Sequence, residues 1–478
     1  MIYEIGTETG YGDALDYKII DGETDVEVEE NDIGISDVYY TDEYESDTIQ
    51  CEEYRCESFF EVKENIYMDK DSGNLYMVES SVHEEMKFFK YDKNGQLIWE
   101  KRAEGGGGCV ELEYIDKDEN FYISRRLYEC IPKSTCSCGV KYVISKYEMY
   151  ENIYKEVWYF SVNGDYEGES IESISVDSDE NVYVSGEFVN IIDFGDGKVL
   201  HSKSKECISQ GPYGWKCFKD VFVVKFDKDG NVVWAKGIGG EGDDSAWNGY
   251  ISDDGLILEV SSSSESIYID DKKLTVENNG IMIIKLDRDG EYKWSKFSAL
   301  GYEYMKGIDK EGNIYFYGYY DSMNNENKDL FLVKYNKNGE LVWSKKVEIR
   351  EIQSGYELLG KPVLFDLYID KYQNIYTLGD FAIISTTDFS YIDYSFLSKY
   401  NQKGDRFWYK DIIESRFFGL ERISGIVNGD IYLVLISYNR NPVTIDNCSI
   451  NDISEDLSYK YYLLKFTPEG CSSVEADK

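Results

Sequence analysis

Acidic turns are the first place where this chain could do chemistry. The run Asp227-Lys-Asp229-Gly-Asn231 opens as an EF-hand loop does. A calcium loop of that kind needs Gly at its sixth position and Glu at its twelfth, and here those are Val232 and Ile238. Turn chemistry accounts for the acids and amides instead, because Asp and Asn side chains bond their own backbone in tight turns. Asp243 and Asp244, beside Trp247, make a better pair for a cation such as calcium or for a polar ligand, with solvated loop acids as the ordinary alternative. The segment from His201 to Lys219 is the richest, holding His201, Cys207, Tyr213, Trp215 and Cys217. A Cys207–Cys217 disulfide would pin its tip and present Tyr213 and Trp215, aromatics of the kind that anchor binding surfaces. The plainer expectation has them packed beneath their own loop.

Of the ten cysteines, Cys130, Cys136 and Cys138 resemble a metal knuckle only loosely. Zinc asks for four ligands at known spacing, and no His or Cys pair follows at the right distance, so a Cys130–Cys136 disulfide or free thiols are expected. Cys51 and Cys56 are a further candidate pair, and Cys448 with Cys471 would brace the end of the chain. General acid–base catalysis has little to draw on: His83 and His201 are the only histidines, and histidine is the commonest general base. Two carboxylates suffice for a glycosidase, but with 92 acids no particular pair stands out. No catalytic residue, metal or cofactor is therefore assigned.

These residues are carried by a repeat. DVFVVKFDKDGNVVWAKGIGG from Asp220 recurs as DLFLVKYNKNGELVWSKK from Asp329, IMIIKLDRDGEYKWSK from Ile281 and KFFKYDKNGQLIWEK from Lys87. Trp99, Trp158, Trp234, Trp294, Trp343 and Trp408 set a period of 49 to 76 residues. Each unit parses into four strands. The first ends in an acidic turn, and the second has the form GNxYxxG, as in GNIYFYG from Gly312. The third is an apolar run ending Lys-Tyr or Lys-Phe, and the fourth carries the tryptophan. Asp-Gly and Asn-Gly pairs supply hairpin turns that need positive φ. Four antiparallel strands repeated radially describe the blade of a β-propeller. The tryptophans read as interblade docking residues.

WAKGIGGEGDD from Trp234, the GNIYFYG-type strands and EFVNIIDFG from Glu187 resemble the bacterial β-propeller repeat called SBBP, most closely over 174–345. That resemblance implies a secreted or surface-attached protein and carries no defined catalytic residues. Two propeller enzyme classes fail on motif. The sialidase Asp-box spaces its Asp, Gly and Trp differently from Asp229, Gly230 and Trp234, and the adjacent cysteines typical of quinone-dependent dehydrogenases do not occur.

The expectation is thus an all-β, single-domain propeller over residues 1–478, of eight blades, with seven as the alternative if 11–60 is an insertion rather than a degenerate first blade. MIYEIGTETGYGD at the N-terminus reads like a tryptophan strand with Tyr3 in the aromatic place. Residues 1–10 are therefore expected to pair into the last blade and close the ring. Met1-Ile-Tyr-Glu-Ile-Gly lacks the basic start and apolar run of a signal peptide, and no apolar stretch is long enough for a spanning helix.

The formal charge, 50 − 92 = −42, disfavours nucleic acid and anionic membranes as partners. In an up-down blade the tight DKDGN turns share one face, and the long connections share the other. The long segments are 125–140, 187–219, 261–280, 346–362 and 436–459. Long loops on a rigid scaffold are where binding resides, so the expected function is a non-catalytic module engaging a protein or glycan through the long-loop face. The rivals are a hydrolase or lyase with carboxylates at the channel mouth, and a structural subunit of a surface or particle assembly.

Overall fold

A computed structural model describes the backbone of residues 2–4, 18–21 and 24–26, and residues 66–474 apart from 70–71, 81–85, 94–95, 106–108, 131–137, 165–168, 205–206, 210–214, 277–280, 298–300, 321–328, 415–417, 428–429, 438–442, 446–447, 451–459 and 468–469. Every regular element among the described residues is a strand, and none is a helix. The chain divides into two compact units, Met1–Glu53 and Tyr54–Lys478.

In the first unit, Ile2–Glu4 pairs antiparallel with Lys18–Asp21, which pairs in turn with Thr24–Val26. The Tyr3 strand thus has a partner within its own unit. The strand of Tyr3 is taken by a near neighbour in sequence, a pairing that costs far less loop-closure entropy than one spanning the whole chain. The fourth strand of the final sheet is instead Gly470–Val474, antiparallel to Lys460–Thr467. Of residues 11–60, expected as a degenerate first blade or an insertion, only 18–21 and 24–26 are among the described residues.

Among the described residues the second unit contains seven antiparallel four-strand sets in chain order, here called sheets: the first two are joined into one eight-stranded sheet by parallel pairing of Ile153 and Tyr154 with Arg102 and Ala103, the third carries two further strands, and the other four stand alone. We number them 1 to 7 by their first, or inner, strands: Ile66–Met68, Cys109–Ile115, Ser170–Val176, Asp244–Ser252, Gly301–Ile308, Tyr356–Ile369 and Phe418–Val427. The expected four-strand order recurs, but the fourth strand of sheet 7, Gly470–Val474, carries no tryptophan. Two long segments turn out to be hairpins. Residues 187–219 contain Ile191–Asp193 paired with Val199–His201, and 261–280 folds into Ser266–Ile269 and Lys272–Thr275. This second hairpin, from sheet 4, adds two strands to the edge of sheet 3 through Ile238–Ile269 pairing.

Burial follows the period of the strands. The second and third strands are apolar on both faces because each sheet has a neighbour on either side; Val182–Phe188 and Asp220–Phe226 are buried at every position. The apolar side chains fall into seven cores, each shared by two sheets. Phe88, Phe121 and Tyr154 join sheets 1 and 2, and Val184 and Phe222 of sheet 3 pack on Tyr122 and Ile144 of sheet 2. Trp234 and Leu258 join sheets 3 and 4; Ile283 and Phe316 join 4 and 5. Tyr315 and Phe396 join 5 and 6, and Leu397 and Leu433 join 6 and 7. The seventh core sets Tyr432 and Val434 of sheet 7 against Met68, Leu75, Phe89 and Tyr91 of sheet 1.

The tryptophans interlock these sheets. Trp158, Trp234 and Trp343 donate their indole N–H to the carbonyls of Lys228, Arg288 and Gln402, at 3.0 to 3.1 Å, each in the third-to-fourth-strand turn of the next sheet. The turn glycines Gly230, Gly290 and Gly404 lie beneath those rings at φ of +84°, +81° and +77°. A Cβ there would face both a left-handed backbone and an indole plane, which explains why the turn carries Gly. At the seventh junction, Tyr432 donates its hydroxyl to the carbonyl of Lys93 at 3.1 Å, the equivalent place in the turn of sheet 1.

Candidate functional site

The inner strands do not run straight. Each of the six longer ones slips register against its partner and leaves a residue unpaired in the ladder: Glu113, Glu172, Trp247, Lys306, Phe365 and Glu421. A bulge bends the strand and re-aims the extra side chain. Six of the seven inner strands border one cavity of about 570 Å3, through Tyr67, Glu111 with Glu113, Glu172, Tyr250, Lys306 and Arg422. One space is thus shared by sheets 1, 2, 3, 4, 5 and 7.

The lining is polar and of mixed sign. Arg126 pairs with Glu111 at 3.4 Å and lies 6.0 Å from the centre of the Tyr142 ring. Burial pushes the Glu172 carboxyl above its usual range, opposed by the Ser170 hydroxyl at 2.5 Å and by the charges of Lys219 and Arg126. Asp366, on the inner strand of sheet 6, accepts the Ile423 amide at 2.6 Å. Burial raises its pKa too, against that hydrogen bond and the charges of Lys306 and Arg422. Burial likewise raises the phenols of Tyr67 and Tyr250, which stay neutral at physiological pH. The cavity therefore offers hydroxyl donors, cationic side chains and a carboxyl that burial biases towards its neutral form, a set able to hydrogen-bond a polyhydroxylated ligand.

Trp247 lies three residues from Tyr250 on the same strand. The bulge leaves it 43% exposed, unlike the interlocking tryptophans. Its indole N–H donates to Ser261 Oγ at 3.0 Å. Its ring stands 5.7 Å from that of Tyr304, which stands 5.4 Å from Tyr317, with the Lys306 ammonium 5.6 Å over the latter. The result is an aromatic ladder running from sheet 4 to sheet 5, orientationally fixed and open at the Trp247 end.

The other residues singled out from sequence are not gathered into one site. His201 is exposed at the end of its hairpin on sheet 3. Cys207 and Cys217 form a disulfide with 4.1 Å between Cα atoms. Trp215 is placed by its backbone opposite Ser209, and Tyr213 lies outside the described residues. Asp243 accepts the Lys219 amide at 3.1 Å, while its own amide donates to Ser263 Oγ at 2.7 Å. Asp244 is buried and accepts from the Gly240 amide at 2.7 Å and Ser264 Oγ at 3.0 Å.

At Asp227, the EF-like turn, the carboxylate caps its own loop by accepting the amides of Asp229 and Asn231 at 3.0 and 2.8 Å. Cys130 lies opposite Cys138 in strand register, and Cys136, Cys51 and Cys56 lie outside the described residues. The strand Cys448–Ile450 contacts the strand that carries Cys471. Sequence reasoning missed Glu172, Tyr250, Lys306, Arg126 and Arg422. A bulge has no composition signature, so nothing in the sequence marked which alternate positions would turn inward.

No family model matches the chain, and no curated protein does. Solved structures similar to it include an ulvan lyase of polysaccharide lyase family PL25 bound to -[GlcA(1-4)Rha3S]-, with 12% identity over 85% of this chain and 92% of that one at a TM-score of 0.44. The β-propeller domain of the trilobed protease from Pyrococcus furiosus is similar at 11% identity over 86% and 95%, TM-score 0.42. A puromycin hydrolase S511A mutant complexed with PGG is similar at 10% identity over 87% and 55%, TM-score 0.38.

Proposed function

We propose that the second unit is a closed seven-bladed propeller of the SBBP kind that binds a glycan at its central channel. The seven cyclic cores support the ring, and the Tyr432–Lys93 contact supports closure by side-chain packing in place of a shared strand. The single observation that carries the binding reading is Trp247. It is an exposed indole held by Ser261 and backed by Tyr304, three residues along its strand from Tyr250, which lines the polar cavity. An aromatic face suits the C–H face of a sugar while its polar edge stays wet, and the neighbouring polar groups suit its hydroxyls. A purely apolar groove, as a helical peptide would need, is not what surrounds it. The Cys207–Cys217 disulfide fits an oxidising compartment, in keeping with a secreted or surface protein.

A glycan panel followed by calorimetry tests this reading. Trp247→Ala should weaken the best ligand at least tenfold, with Trp247→Phe intermediate. Unchanged affinity, or binding only of a protein partner, would refute the glycan reading.

A second reading is a lyase or hydrolase using the same channel, favoured by the raised carboxyl of Glu172 next to Arg126. There Glu172→Gln should abolish turnover of a bound glycan while sparing its affinity. The assembly reading fares worse. The exposed Leu97, Ile98, Val157, Val233, Leu341, Val342 and Phe407 sit on the outer strands of five different sheets, one or two to a sheet, and scattered apolar residues do not make a docking patch.

A further inference from the structure

Asp220 and Asp244 are buried to 2% and 0% exposure where sheets 3 and 4 meet. Asp220 opens the third strand of sheet 3, and the Asp244 amide donates to the carbonyl of Lys219, one residue before it, at 2.9 Å. Each carboxylate has one satisfied oxygen. Asp220 Oδ2 accepts the Lys203 amide at 2.6 Å, and Asp244 Oδ2 accepts from Gly240 and Ser264. In each the other oxygen, Oδ1, is buried without a hydrogen-bond partner. The Asp244 charge acts on Asp220 and that of Asp243 on Asp244, and at both acids burial already disfavours ionisation.

The basic side chains nearby are used elsewhere. The Lys219 ammonium binds Glu187 at 2.6 Å, and the Lys203 ammonium lies over the Tyr268 ring at 4.9 Å and reaches the Asp270 carbonyl. The backbone is shaped around this spot as well: a Cβ on Gly239 would stand 2.3 Å from the Asp220 carboxyl carbon. Two buried carboxylates with orphaned oxygens and no cation of their own are costly unless something neutralises them.

From this geometry we infer a structural cation site between Asp220 and Asp244, taking calcium, with the hydroxyls of Ser202 and Ser262 beside the two acids as neutral oxygens. A divalent ion balances the two charges. Calcium accepts an irregular set of carboxylate, hydroxyl and carbonyl oxygens, whereas magnesium prefers an octahedral shell in which it keeps several waters. The site would pin the corner from which the inner strand of Trp247 departs, and it stands independently of what binds at Trp247.

The test uses the full chain, stripped with EGTA and titrated with CaCl2 at pH 7.5 in 100 mM KCl to suppress diffuse binding to the acidic surface. The expected result is one calcium per chain with a saturable rise of at least about 2 °C in the unfolding midpoint, reversed by EGTA. Asp220→Asn and Asp244→Asn should each weaken binding at least tenfold, and Asp243→Asn should leave it unchanged. Should either of the first two fail to fold, Ser262→Ala gives the milder version, a several-fold weakening with the fold kept. Absence of stoichiometric binding by the wild type at millimolar calcium, or binding that survives both Asp220→Asn and Asp244→Asn, overturns the site.

Discussion

Replacing Gly290 with Ala puts the interlock between sheets to a quantitative test. Gly290 sits at φ +81° in the turn of sheet 4, and an added Cβ would stand 2.8 Å from Trp234 Cδ2 of sheet 3. Two costs add. A non-glycine residue in the left-handed region costs about 1–2 kcal/mol. Pushing a methyl into a packed ring plane costs about 1–3 kcal/mol more, because Trp234 is 8% exposed and its N–H is anchored on Arg288 in the same turn. The sum is about 2–5 kcal/mol. Gly195 is the internal control: its φ is +85°, and a Cβ there meets nothing within 4 Å, so Gly195→Ala should cost the backbone term alone, about 1–2 kcal/mol. Urea titrations of the two variants, followed by tryptophan fluorescence and far-ultraviolet circular dichroism, separate the contributions. If Gly290→Ala unfolds at the same urea concentration as Gly195→Ala, the indole-on-glycine contact contributes nothing and the account of the repeat given above fails.

Two further expectations concern a buried acid and the closing junction. Burial pushes Asp380 up to about 6, against a hydrogen bond from Ser395 and with help from Asp393. Its folded value thus lies above the unfolded one, and the folded state holds the proton more tightly. This group's contribution therefore falls as pH rises from about 4 through 6. Asp380→Asn should flatten that part of the stability profile and raise the urea midpoint at pH 7.5 relative to wild type; an unchanged difference between pH 5 and pH 7.5 would count against it. Tyr432→Phe removes the hydroxyl that caps the Lys93 carbonyl and should cost about 1 kcal/mol. Amide exchange in the turn around Asp92 and Gln96 should speed up with it, and unaltered exchange there would mean that sheets 7 and 1 are not joined by this contact.

What the sequence disclosed and what it hid follow from the range of the interactions involved. The strand grammar was legible because each signature is local. The turn Asp bonds amides two and four residues on, as Asp177 does with Asp179 and Asn181 at 2.9 Å. The turn Gly is demanded by its own φ, and the Lys-Tyr ending pairs across one hairpin, as Lys334 does over Tyr315 at 5.0 Å. Even the docking role of the tryptophans could be anticipated, since a large ring recurring once per unit must cover something that also recurs. The Cys207–Cys217 pairing was legible for the same reason of proximity. Closure was not. The similarity of the Tyr3 segment to a tryptophan strand described a fourth strand well enough, but pairing is chosen by what lies alongside, and Lys18–Asp21 lies closer along the chain.

The last sheet shows why its own outer strand was overlooked. Gly470–Val474 reads GCSSV and has no aromatic to announce it. An indole there would have capped the turn of sheet 1; Tyr432, from the second strand of the same sheet, reaches the same carbonyl instead. The role was kept and the residue that fills it moved, which sequence periodicity cannot register. The cavity was hidden by a similar shift. Strict alternation would have assigned inward and outward positions along each inner strand, but an unpaired residue resets that alternation at Glu113, Glu172, Trp247 and Lys306. The same local irregularity that defeats the reading also falls at Glu172 and Lys306 on the cavity wall and at the exposed Trp247. A repeat built for packing thus acquires its distinct chemistry where the repeat is broken, and the bulged first strands, more than the tight turns, are where substitutions should alter binding without loosening the packing between sheets.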